Sequence, residues 1–261
     1  MGVSGYQETE EKLKIRIHAH TAYANFQLED WLSEWLSNAD GCRLLEMGCG
    51  DGNFFPTYAQ VLGERGFIIG CDIDHHLLRK AREVSRELAT SAIIVPWNFD
   101  IHPYPFLDEE VDVLTAPFCA YYTRNVSGWV EDSVRVVKKG GKLLLLGPTK
   151  DNAQELYELN EMVTGIKSVP ETDETSTKLE EIFWPELVKR SECEVKKTIL
   201  DRQIIFPSAE DFVRYYFATW LYEKTKETVP EPIEFDHVIE AARRTSLRLN
   251  KQIVCIEASK T

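Results

Sequence analysis

Short apolar runs alternate with amphipathic stretches across residues 42–149, and that alternation predicts a parallel sheet covered by helices. Arg43–Met47 reads as the first strand; Phe55, Tyr58, Ala59 and Leu62 then recur at helical spacing, with Pro56 tolerated in the first turn. Residues 67–71 predict a second strand. A helix follows from about His75, with Leu77, Leu78, Ala81 and Val84 on one face and Asp74 placed to cap it. Residues 93–95 and 111–116 predict a third and a fourth strand. Trp129, Val130, Val134 and Val137 mark another helix, which Gly140 and Gly141 should stop. The fifth strand, 142–146, is leucine-rich, as a strand buried on both faces should be.

After Pro148 the alternation fails. The region to about Arg190 reads as two helices joined by the polar, acidic stretch SVPETDETSTK, an insertion on top of the sheet. Strand-like material resumes over 194–206, a helix runs from Ser208 to about Tyr222, KETVPEPIE forms a loop before another helix, and 252–257 is a last strand. Near the N-terminus, His18 and His20 precede a helix holding Tyr23, Phe26, Trp31 and Trp35. The expected organisation is one α/β domain over 1–261: a helical lid at 1–40, a core at 41–149, a helical insertion at 150–192, and C-terminal strands and helices at 193–261.

Hydrophobic residues make up 43% and charged residues 28% of the 261, which excludes collagen-like chains and wholesale disorder. Thirty Lys and Arg stand against 43 Asp and Glu, a net charge of −13, and this sign argues against nucleic acid as a partner. The longest strongly apolar run, 143–146, is far too short to cross a bilayer. The opening MGVSGYQETEEKLK lacks an apolar signal core and puts Tyr6 where a myristoylation motif wants Ser or Thr, so the cytoplasm is the expected location. Six scattered cysteines with no CxxC pair read as buried thiols, and no metal site is expected.

The most informative stretch is LLEMGCGDGNF, residues 44–54, which places Gly48, Gly50 and Gly52 between a buried strand and a helix. A ligand can approach such a backbone closely. The dinucleotide fingerprint G-x-G-x-x-G is not present, because Asn53 stands where its third glycine belongs, and a nicotinamide oxidoreductase is disfavoured for that reason. Asp72 lies about twenty residues beyond the loop, at the end of the second strand, the place from which a carboxylate accepts ribose hydroxyls.

In order, E-x-G-x-G-x-G at 46–52, G-x-D at 70–72, FDIHPYPFLDEEVD at 99–112 and VKKGGKLLLLGP at 137–148 resemble the class I S-adenosylmethionine-dependent methyltransferases. The chain is most similar to the small-molecule branch that includes the ubiquinone and menaquinone C-methyltransferases, and the resemblance covers roughly 43–149. It implies a Rossmann-like, doubly wound, seven-stranded, mostly parallel sheet with helical additions at the N-terminus and after the fifth strand. It also implies S-adenosylmethionine as cofactor and a small-molecule acceptor. Carried over by residue, Glu46 and the backbone of Gly48, Cys49, Gly50, Asp51 and Gly52 would hold the methionine end, Asp72 the ribose, and Ile73 one face of the adenine. Asp100 would accept from the adenine amino group, with Phe99 or Ile101 flanking the ring, and Tyr104-Pro105-Phe106 would stand for the family's Leu-Pro-Phe. Asp112 would be structural. The stretch TAPFCAYY, including Ala116, would line the meeting place of donor and acceptor, and Tyr121-Tyr122 replace the Leu-His-His of many relatives. Tyr23 either contacts the cofactor carboxylate or packs in its helix.

Methyl transfer is an in-line displacement that aligns acceptor with donor; a base is needed only where the acceptor must lose a proton. His18, His20 and Tyr121 are the candidates. Phe212, Tyr216 and Trp220 form a stripe that Tyr215 broadens, and such a helix either packs against protein, in the core or in a homodimer, or faces a flat acceptor. Phe212, Tyr215, Tyr216, Tyr121 and Tyr122 are the acceptor-side candidates. A protein methyltransferase and a noncatalytic cofactor-binding module are the alternatives, since fold alone does not fix function.

Overall fold

The computed structural model describes residues 9–261, so residues 1–8 of the expected N-terminal lid, Tyr6 among them, lie outside the described residues. The described chain forms two compact units. The first, called here the sheet unit, holds 28–147, 178–199 and 254–261. The second, the helical unit, holds 9–27 together with 148–177 and 200–253.

In the sheet unit, β1 (Arg43–Met47), β2 (Phe67–Asp72), β3 (Ser91–Pro96), β4 (Val111–Pro117) and β5 (Val137–Pro148) are joined by parts of β6 (Cys193–Ile205) and β7 (Arg248–Lys260). The strand order is β3-β2-β1-β4-β5-β7-β6. The pairings β1 with β2, β1 with β4, β2 with β3, and β4 with β5 are parallel. Strand order therefore reverses at β1 and β4, where a doubly wound sheet opens a crevice at the carboxyl ends of its strands. Leu44, Leu45, Ile68, Leu114, Leu144 and Leu145 are buried, as the unbroken apolar runs require.

Helices α2 (Leu28–Trp35), α3 (Phe55–Leu62), α4 (His75–Arg86) and α5 (Val126–Val136) belong to this unit. Asp74 caps α4 as expected, its carboxylate accepting from His76 N and Leu77 N. The expected helix stop at Gly140 and Gly141 is corrected: α5 ends at Val136 and both glycines lie inside β5. The register jumps there, Val111 pairing with Val137 and Val113 with Lys142, so residues 138–141 form a bulge. A Cβ on Gly141 would sit 2.7 Å from Asp112 O, so only glycine fits against the neighbouring strand.

The helical unit contains α1 (Glu10–Ala22), α6 (Gln154–Thr164), α9 (Ala209–Phe217), α10 (Trp220–Thr225) and α11 (Phe235–Ala242). The histidines do not precede a helix holding Tyr23 to Trp35; His18 and His20 lie within α1, and the chain breaks over 23–27 before α2. Ala24 bridges Ile204 there, with Asn25 N donating to Gln203 O at 2.9 Å, so strand pairing competes with helix over these residues. The expected single helix from Ser208 to Tyr222 is also two, because Thr219 takes an extended conformation and caps α10 through Tyr222 N.

The acidic joiner SVPETDETSTK is itself mostly helix, α7 (Pro170–Lys178). Proline starts it and Glu171 and Asp173 occupy its first turn, where negative charge suits the helix dipole. A π-helical turn, Leu179–Phe183, and α8 (Trp184–Val188) follow. No helix among the described residues is long and apolar enough to cross a membrane.

Candidate functional site

The glycine loop leaves β1 at its carboxyl end, and Gly48, Gly50 and Gly52 all have positive φ, at 66°, 55° and 83°. Two of these glycines meet different constraints. A Cβ on Gly48 would lie 2.4 Å from the Cβ of Cys119, whereas one on Gly50 would meet nothing within 4 Å. Gly48 is small because the end of β4 presses on it; Gly50 has its glycine backbone exposed to open space, ready for close approach.

Asp72 ends β2 and binds the loop. Its Oδ2 accepts from Gly50 N at 2.9 Å and its Oδ1 from Asp74 N at 2.9 Å. Burial raises its pKa, partly countered by those backbone donors. Beside it, Cys49 is buried with its Sγ facing Gly70, and burial pushes that thiol far above its ordinary range, with Glu46 and Asp72 adding to the effect. Asp51 is half-buried.

Glu46, on the central strand, is 1% exposed. The Tyr58 hydroxyl donates to its Oε1 at 3.2 Å and lies 3.2 Å from Thr115 Oγ1 on β4. Its Oε2 is buried without a hydrogen-bond partner among the described residues. Burial holds the carboxyl well above the usual carboxylate range, with Asp72 and Asp51 adding to the rise and the Tyr58 hydrogen bond opposing it. Nothing in the sequence pointed to Tyr58 beyond its helical spacing, which marked it only as core.

Ile73 and Ile101 are 51% and 52% exposed, two large apolar side chains in water near the ends of β2 and β3. Phe99 packs partly buried against the core. Asp100 is already engaged: the Thr123 hydroxyl and Arg124 N, the latter at 2.9 Å, donate to its Oδ1, and Arg124 Nε lies 3.9 Å from Oδ2. Asp100 therefore fastens its loop to the segment after β4, a partnership across 23 residues that no local pattern announced. Asp112, expected to be structural, accepts from Arg43 N at 2.8 Å and Lys138 Nζ at 2.7 Å. His102 is half-buried, its Nδ1 donating to Asp132 Oδ2 at 2.7 Å, so it anchors the loop to α5.

At the end of β4, Ala116 is fully buried and Phe118 adopts φ 57°, strained for a residue with a Cβ. Tyr121 is buried, packed so closely on Gly147 that a Cβ there would lie 3.1 Å from its ring, while its neighbour Tyr122 is exposed. Of the expected site residues, then, Glu46 to Gly52, Asp72, Ile73, Phe99, Asp100, Ile101, Ala116, Tyr121 and Tyr122 share the sheet unit.

The other candidates belong to the helical unit. Phe212 and Tyr216 are fully buried in its core, and the Tyr216 hydroxyl donates to Asn160 Oδ1 at 2.5 Å. His18 is exposed, with Nε2 3.2 Å from the Tyr23 hydroxyl. His20 Nε2 lies 3.2 Å from the Tyr215 hydroxyl and its Nδ1 3.2 Å from Arg202 Nη1. Burial lowers the His20 pKa well below the ordinary histidine value, with Lys251, Arg202 and Arg16 adding to the effect. Arginine only donates, so Nδ1 is the acceptor and the neutral ring carries its proton on Nε2. Both nitrogens are occupied, which leaves His20 unsuited to act as a base.

Residues 45–145 match the family model described as a methyltransferase domain. A ubiquinone/menaquinone biosynthesis C-methyltransferase of Vibrio vulnificus is 27% identical over 121 residues, 45% of this chain and 46% of that protein. This chain thus matches about half the length of that relative. A 2-phytyl-1,4-naphtoquinone methyltransferase of Nostoc punctiforme is 23% identical over 198 residues, 71% of this chain and 86% of that one. Among solved structures, the YcgJ protein of Bacillus subtilis superposes with a TM-score of 0.60 at 14% identity, covering 89% of this chain and 97% of its own. Residues 45–145, which carry the match to a methyltransferase domain, thus hold the glycine loop tied to Asp72 and the strands where the sheet order reverses.

Proposed function

We propose that this chain transfers the methyl group of S-adenosylmethionine to a small-molecule acceptor in the cytoplasm. The observation that carries the reading is the coupling of Asp72 to the N–H of Gly50 at the strand-order switch, beside the unpartnered buried Oε2 of Glu46. A glycine backbone open to close approach, one buried carboxyl oxygen without a partner and a carboxylate held at the loop's edge suit a ligand with an ammonium and a ribose.

S-adenosylmethionine, when bound, supplies a methyl group already activated on sulfur. The rest is the chain's own work. Glu46 and the backbone of 48–52 hold the methionine end, and Asp72 accepts from the ribose hydroxyls. Ile73, Ile101 and Phe99 cover the adenine faces and exclude water, a role that accounts for two large isoleucine side chains being half-exposed. Asp100 positions its loop through Thr123 and Arg124 and offers Oδ2 to the base. The rigid β4 end, from Ala116 to Tyr122, orients the acceptor. No histidine is assigned as base, and alignment with desolvation suffices for an amine or thiol acceptor.

Calorimetric titration with S-adenosylmethionine, S-adenosylhomocysteine and NADH tests the reading, followed by transfer of tritiated methyl to candidate small molecules. The first two ligands should bind and NADH should not. Binding of NADH in preference to both would overturn the proposal.

A further inference from the structure

The helical unit contains a groove of about 310 Å³ that the methyl-transfer reading does not use. Its floor is aromatic: Phe206 packs edge-on against Tyr23 with ring centroids 5.8 Å apart and against Tyr215 at 5.4 Å. Lys14, Ile15, His18, Ala19, Asp211 and Arg214 complete its lining, so two permanent cations face one carboxylate in a chain of net charge −13.

A donor chain ends at this floor. Arg202 donates to His20 Nδ1, and His20 Nε2–H in turn donates to the oxygen of Tyr215, which is itself 2% exposed. The ring of His20 is neutral, because burial and the nearby Lys251, Arg202 and Arg16 all oppose a charge on it. Tyr215 receives a hydrogen bond from His20, so its own hydroxyl hydrogen must point elsewhere. Among the described residues no hydrogen bond takes that hydrogen up. A guanidinium at one end of the chain polarises the phenol at the other, making it a stronger donor.

We propose that this groove binds a small aromatic monocarboxylate, its ring lying on Phe206, Tyr23 and Tyr215 and its carboxylate accepting from Tyr215 and pairing with Arg214. The volume lies at the small end of ligand sites and suits one ring or two fused rings. A dianion is less well matched, because the carboxylate of Asp211 also lines the groove, accepting from Ser208 Oγ at 2.7 Å. The proposal does not rest on methyl transfer.

The test is calorimetric titration of the full chain with naphthalene-2-carboxylate and with its neutral isostere, naphthalene-2-carboxamide. The carboxylate should bind about tenfold more tightly, the range of one charge-assisted hydrogen bond. Arg214→Gln should weaken the carboxylate by roughly five- to tenfold and leave the carboxamide within about twofold, since only the former carries charge. Tyr215→Phe, which keeps the ring, should weaken both ligands, because each accepts from the phenol. No binding of the carboxylate, equal binding of the two ligands, or a preference that survives Arg214→Gln would overturn the proposal. A parallel titration with S-adenosylmethionine keeps the two readings apart: its failure with carboxylate binding intact would count against methyl transfer alone.

Discussion

The backbone N–H of Gly50 donates to Asp72 Oδ2 at 2.9 Å, tying the tip of the glycine loop to the end of β2. The carboxylate at the proposed ribose position is therefore also what shapes the loop. Asp72→Ala removes the acceptor of two backbone N–H groups and should lower stability without cofactor by about 1 to 3 kcal/mol, with at least about tenfold weaker cofactor binding. Asp72→Asn keeps one acceptor oxygen and should fall between. Thermal melts and calorimetry check both, and unchanged cofactor affinity in Asp72→Ala would reject the ribose role.

Gly48 and Gly50 share a positive φ but differ in surroundings, which gives a paired test. Gly48→Ala drives its Cβ to 2.4 Å from that of Cys119 and should destabilise the chain by more than about 1 to 3 kcal/mol. Gly50→Ala meets no neighbour within 4 Å and should cost only about 1 kcal/mol of backbone strain, while its methyl blocks the face left open for a ligand. Little loss of stability with a large loss of cofactor affinity is the expected result at Gly50.

The folded chain raises the Glu46 pKa well above 4.5, its value as an ordinary glutamate, so across that window the unfolded chain has released a proton that the folded chain retains. Stability from this group is greatest below pH 4.5 and declines as pH rises through the folded pKa. Glu46→Gln keeps an acceptor for Tyr58 and has nothing to ionise. Its melting temperature relative to the parent should therefore rise between pH 4.5 and pH 8, while cofactor affinity falls. A variant with unaltered affinity would remove Glu46 from the proposed site.

His20 shifts in the opposite sense. Its folded pKa lies well below 6.5, so on acidification the unfolded chain binds a proton that the folded chain refuses. Its contribution to stability is complete above pH 6.5 and is lost as pH falls below that toward the folded pKa. His20→Asn keeps an acceptor for Arg202 without a titrating ring. Between pH 7 and pH 5 the parent's melting temperature should drop more steeply than the variant's, and parallel profiles would contradict a neutral His20.

Tyr216 is a core residue whose hydroxyl serves Asn160, which in turn donates to Ile166 O and Thr225 Oγ1. Tyr216→Phe should cost about 1 to 3 kcal/mol by leaving Asn160 Oδ1 unsatisfied, and Tyr216→Ala about 3 to 5 kcal/mol through the cavity. Denaturant melts measure both. Binding of cofactor and of naphthalene-2-carboxylate should be unchanged in the Phe variant.

The sequence by itself determined the frame of the sheet unit. The strands at 43–47, 67–72 and 111–117 stand within a residue of their expected places, and Asp74 caps α4 as read. These features are local: an apolar run, a helical period, a capping side chain and glycines after a strand each act within a few neighbours. The same locality made the glycine loop and Asp72 legible, about twenty residues apart on adjoining elements. Where a local preference met a distant partner, the partner decided. Residues 23–25 pair with 203–205 instead of continuing a helix, and the glycines at 140 and 141 make room for Asp112 O instead of ending one. The polar wiring within each unit was beyond reading for the same reason. Tyr58 reaches Thr115 across 57 positions, and His20 meets Arg202 and Tyr215 across 182 and 195. Periodicity records which face of an element is buried, and only the packed chain assigns the group on the other side.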